Sequence, residues 1–164
     1  MKLLLLIAGL LLSIIVQLFF FQSWQTGMVI GNILMAFLVV ASLFTTKEQM
    51  LWMALFAGLA SDLYSSLDFG FYLGFYLLLA IVAKYLLKFG ETETSWWRPI
   101  ILIAIAATIQ AVLVSLPLIA LNLGWNLAQN LAYFVIFSVI SGVMWYLILS
   151  QAKELTKKLP RVAR

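Results

Sequence analysis

Residues 3–21 read LLLLIAGLLLSIIVQLFFF, and this stretch, Leu3 to Phe21, decides the fold. It is an uncharged apolar run of about 19 residues. A helix needs about 20 such residues to cross the hydrocarbon core of a bilayer. A signal-peptide core is shorter and leads to a small-residue cleavage site. No Ala-x-Ala follows Phe21, so a retained first span is expected. Comparable runs recur at Met28–Phe44, Met50–Ser66, Phe69–Leu87, Pro99–Leu121 and Ala128–Leu149. The breaks between them have local causes. Thr45-Thr46-Lys47-Glu48 is charged, and Asn122-Leu123-Gly124-Trp125-Asn126 is rich in helix-stopping residues. Pro99 falls in the first turn of the fifth run, where its missing N–H costs nothing.

Composition agrees. Of 164 residues, 65% are hydrophobic and 10% charged, against roughly 25% charged in a soluble domain. A fold of this length in water could not hide so much apolar surface. The expected fold is all-α: a polytopic membrane helix bundle with six transmembrane helices over residues 1–150, then a basic cytoplasmic tail over 151–164. There is no cysteine and no histidine. That excludes disulfides, thiolate metal sites and serine–histidine catalysis.

The net charge of +4 reads as orientation and not as nucleic-acid binding. With the N-terminus inside, Lys2, Lys47, Lys84, Lys88, Arg98, Lys153, Lys157, Lys158, Arg161 and Arg164 all fall on the cytoplasmic side. The outer connections carry Asp62 and Asp68 instead. Basic residues on one side set direction, so both termini are expected in the cytoplasm of a cell with an inner membrane. Lys84 lies within the fourth run and is expected to snorkel to the inner surface. Trp52, Trp96, Trp97 and Trp145 are expected at the inner interface, Trp24 and Trp125 at the outer one.

The third and fourth runs join almost without a polar loop, through Gly58-Leu59-Ala60-Ser61-Asp62-Leu63-Tyr64-Ser65-Ser66-Leu67-Asp68-Phe69-Gly70-Phe71-Tyr72-Leu73-Gly74. Ala54, Gly58 and Asp62 recur at i, i+4, i+8, so a narrow small-residue face ends in a carboxylate. An acid at that depth faces the bundle or water. Asp68 is placed to cap the fourth helix. Gly70 and Gly74 form a GxxxG pair that permits close helix contact. Gly9, Ser13 and Gln17 share a face, as do Ala107, Ala111 and Ser115 with Gln110 beside them, and Ser138 with Gly142. These read as helix packing with interhelical hydrogen bonds. Asn32 could cap a helix, pair with a neighbour or line a cavity. No nucleotide loop, metal-ligand set or catalytic pair of carboxylates is present. No cofactor, no metal and no enzymatic activity are expected.

The hairpin resembles that of the rod shape-determining protein MreD family. That family carries a glycine, an aspartate four residues on, then a serine-containing turn closing on a glycine. Gly58, Asp62, Ser65 and Gly70 stand at those places, and length and span count match along the chain. Ser66 stands where the family often has glycine, and Asp68 where a small residue or proline is frequent. The resemblance implies a noncatalytic scaffold in cell elongation and peptidoglycan synthesis, embedded in membrane lipid. Its implied partner is an MreC-like bitopic protein and, through it, the wall-synthesis enzymes and actin-like MreB. It marks Gly58, Asp62, Ser65, Asp68, Gly70 and Gly74 as structural or partner-contact candidates. The same fold is likened to the substrate-binding subunit of energy-coupling-factor vitamin transporters, which supplies the alternative.

Overall fold

The computed structural model describes residues 2–24, 32–65, 69–88 and 97–120, and then 127–158. They hold six helices: α1 (Lys2–Trp24), α2 (Ile33–Ala41), α3 (Lys47–Tyr64), α4 (Phe71–Lys88), α5 (Trp97–Ala120) and α6 (Leu127–Lys158). No strand occurs among the described residues. Segments of α5 and α6, Trp97–Val114 and Ala132–Ala152, are long and apolar enough to cross a membrane, and α1 and α4 carry shorter apolar stretches.

The second run departs from expectation. It yields a helix of only 9 residues, about 14 Å long at 1.5 Å per residue, roughly half of a hydrocarbon core. This helix is the centre of the molecule. From Met35 to Ala41 every residue is 0% exposed. Helices α1, α3, α4, α5 and α6 all pack against it. A helix that is hydrophobic all round must be enclosed, and Ile33–Ala41 has no polar residue to turn outward.

Contacts along α2 set the direction of its neighbours. Gln17 of α1 reaches Ile33 while Gly9 sits on Phe37, so α1 runs antiparallel to α2. Ser138 reaches Asn32 while Trp145 packs edge-on against Phe37, so α6 runs parallel to it. Lys84 donates from α4 to the carbonyls of Ser42 and Thr45 just past the end of α2. Its ammonium therefore lies half-buried at a helix C-terminus, where the dipole favours a cation, and not free at the surface. Trp145 is likewise a core residue, 4% exposed, and not an interface anchor. Trp52 and Trp97 are exposed, while the side chains of Trp24, Trp96 and Trp125 lie outside the described residues. The division at residue 150 falls inside α6, which continues unbroken to Lys158.

A close backbone approach joins α3 to α4 at Gly58. A Cβ there would stand 2.5 Å from the Leu73 Cα. Gly74 does not share this role: it is exposed, on the side of α4 away from the core, and a Cβ on it meets nothing within 4 Å. Gly70 has φ +101°, a conformation that favours glycine, and ends the turn between the helices. Gly58→Ala is therefore expected to push α3 and α4 apart and cost about 1–3 kcal/mol of stability. Gly74→Ala is expected to leave stability unchanged or raise it, since alanine is the better helix former. Thermal unfolding of the two variants in detergent separates these outcomes.

Candidate functional site

Two polar clusters lie inside the bundle. The first begins at Asn32, 2% exposed, at the N-cap of α2. The first N–H groups of a helix have no partner within it, and at the start of α2 side chains take that role. Asn32 Oδ1 accepts from the Met35 N–H at 2.7 Å. Gln17 Oε1 accepts from the Ile33 N–H at 2.9 Å. The Asn32 backbone N–H donates to Ser138 Oγ at 2.9 Å. The two N–H groups of the side-chain amide go to the Tyr76 hydroxyl at 2.5 Å and to Gln110 Oε1 at 3.0 Å. Asn32 thus joins side chains from α4, α5 and α6 to the start of α2, and Ile33 adds one from α1. Gln110 also bonds the Tyr72 hydroxyl, and Ser61 the Tyr76 hydroxyl.

The second cluster is Asp62, 4% exposed, in the last turn of α3. Its carboxylate accepts three backbone N–H groups across the hairpin. Oδ1 takes Tyr72 at 2.8 Å; Oδ2 takes Gly70 at 3.1 Å and Leu73 at 3.0 Å. These are the open donors of the first turn of α4, and a negative charge suits that positive dipole end. Asp62 caps the start of α4 from the neighbouring helix; Asp68, expected to cap the same helix, lies outside the described residues. Ser65 ends α3 and bonds the Tyr72 hydroxyl, so it faces the same turn. Of the six candidates, the structure brings Gly58, Asp62, Ser65 and Gly70 together at the hairpin and turns Gly74 away.

The chemistry open to these groups is narrow. The Asp62 oxygens are held by three donors, and the Asn32 amide is engaged on both sides. Among the described residues, no group of three or more His, Cys, Asp or Glu side chains could hold a metal ion. Asn32, Tyr76 and Ser61 are the members that spacing alone does not single out. Their signal is a lone polar residue within an apolar stretch, which must find a partner when buried. No protein-family model, curated protein or solved structure matches this chain.

Asparagine at position 62 has one acceptor oxygen where the carboxylate has two, and its amide would point N–H at N–H. Asp62→Asn preserves shape but is expected to lose at least one cap bond. The expected loss is about 1–3 kcal/mol, the cost of leaving a buried donor unpaired. Asp62→Ala is expected to lose more. Equal melting temperatures for parent and Asp62→Asn in detergent would show that the three bonds contribute nothing to the fold.

Proposed function

We propose that this chain is a noncatalytic scaffold that spans a membrane six times, with both ends in the cytoplasm, and serves the machinery of lateral wall growth. The observation that carries the reading is the placement of polarity. Gln17, Asn32, Ser61, Asp62, Gln110 and Ser138 are buried, while the outward faces carry Ile7, Phe19, Phe56, Leu78, Ile105 and Ile140. Water would favour the reverse; lipid favours this arrangement, with polar groups turned inward to pair with one another. The alternating helix directions add support, because they bring Lys2, Lys47, Lys84, Arg98 and Lys153 to one end of the bundle and Asp62 to the other. A positive end of this kind faces the cytoplasm.

The scaffold reading, rather than an enzyme, rests on the polar centre being spent on internal bonds. A vitamin-binding transporter subunit needs several convergent polar groups left over for its ligand. The hairpin that resembles the MreD family gives its glycine, aspartate and second glycine defined tasks here: close approach, capping and the turn. On this reading the partner is an MreC-like bitopic protein, and through it the wall-synthesis enzymes and the actin-like filament.

Recovery of the chain from native membranes in mild detergent is expected to bring wall-synthesis proteins with it. Recovery of an ATPase module instead would favour the transporter subunit. A reporter active only outside the membrane, fused after Arg164, is expected to stay silent; strong activity there would overturn the six-span arrangement.

A further inference from the structure

The start of α5 places a cation, an aromatic ring and an apolar stripe in line. Gln110 bonds Asn32 at the start of α2, level with Ser138 of α6. Ile103 packs against Gly142, one turn further along α6. Helix α5 therefore runs antiparallel to α2 and α6. Its first residues, Trp97 and Arg98, lie at the end of the bundle where Lys84 caps α2. Trp97 is exposed, and the Arg98 guanidinium stands 6.0 Å from the centroid of its ring. A cation over an indole face is attracted by the ring quadrupole. Stacking uses the face of the guanidinium, while its N–H donors lie in the plane, in a fork that matches a phosphate. Indole rings sit well at the headgroup level of a bilayer.

Beyond Trp97 the outward side of α5 carries Ile101, Ile105, Ile109 and Val112, all exposed, while Ile103 and Gln110 face the bundle. Ile101 to Val112 covers about 16 Å at 1.5 Å per residue. That is close to one leaflet's half of a hydrocarbon core roughly 30 Å thick. We propose that this side of α5 binds an anionic phospholipid, with its phosphate at Arg98 beside Trp97 and an acyl chain along Ile101, Ile105 and Ile109. Charge complementarity selects the headgroup. On the six-span arrangement proposed above, on which this inference rests, every Lys and Arg lies at this end and together they outnumber its acids, Glu48, Glu91, Glu93 and Glu154. A zwitterionic lipid would bring a further cation to a positive rim. A soluble anion would make no use of the isoleucine stripe.

The test is native mass spectrometry of the full chain in detergent with phosphatidylglycerol or phosphatidylcholine added. The parent is expected to hold phosphatidylglycerol more tightly by roughly fivefold, the effect of one Arg beside an anionic headgroup. Arg98→Gln is expected to lose that preference. Lys47→Gln, which removes an exposed cation at the same end, is expected to keep it. Absence of a preference in the parent overturns the proposal. So does its retention in Arg98→Gln, the result if Arg98 pairs within the chain. Equal loss in the two variants overturns it too, because a diffuse positive rim would then suffice. A measurement that needs no variant is competition by glycerol phosphate in large excess, which is expected to leave the lipid bound. Displacement would show a phosphate site in which the stripe plays no part, contrary to the proposal. Failure to recover wall-synthesis proteins would leave these results unchanged, and loss of the lipid preference would leave the scaffold reading standing.

Discussion

A helix that begins inside an apolar bundle must have its first N–H groups satisfied by protein, and the arrangement of the chain follows from how Asn32 meets that demand. Its side-chain oxygen caps α2, and its two amide hydrogens are then directed at α4 and α5. Ser138 takes the Asn32 backbone N–H from α6, and Gln17 takes the Ile33 N–H from α1. The central helix thus cannot shift without breaking bonds to four of its neighbours. Lys84 fixes the other end through the carbonyls of Ser42 and Thr45. Asp62 repeats the device at the start of α4, using a charge from the neighbouring helix where Asn32 uses its own side chain.

This economy bears on function. Between helices surrounded by lipid there is little hydrophobic force, so packing and hydrogen bonds must hold them. Gly58 provides a close backbone contact, and the polar clusters provide direction. The result is a body in which the Asn32 and Asp62 clusters serve shape. Its outward faces are apolar.

Much of this was legible in the sequence, and what was not has a physical cause. The small-residue faces Gly9-Ser13-Gln17 and Ala54-Gly58-Asp62 are buried as their spacing implies. Periodicity reports which residues share a face, but not which helix that face meets. GxxxG spacing therefore named Gly70 and Gly74 without revealing that Gly74 points outward. The capping role of Asp62 depends on bonds across a turn, which local rules do not weigh. Asn32 could not be assigned because its side-chain partners Tyr76 and Gln110 lie 44 and 78 residues away. The shortness of α2 was hidden for a related reason: an apolar run looks the same whether it spans a membrane or fills the centre of a bundle.

The central claim is that Asn32 braces the bundle and does not wait for a ligand. Amide hydrogen exchange on the full chain in lipid nanodiscs, comparing parent with Asn32→Ala, addresses it directly. The account predicts faster exchange in the first turn of α2 together with the segments of α4 and α5 around Tyr76 and Gln110, because one side chain holds all three. Exchange altered at position 32 alone, with α4 and α5 protected as in the parent, would contradict it.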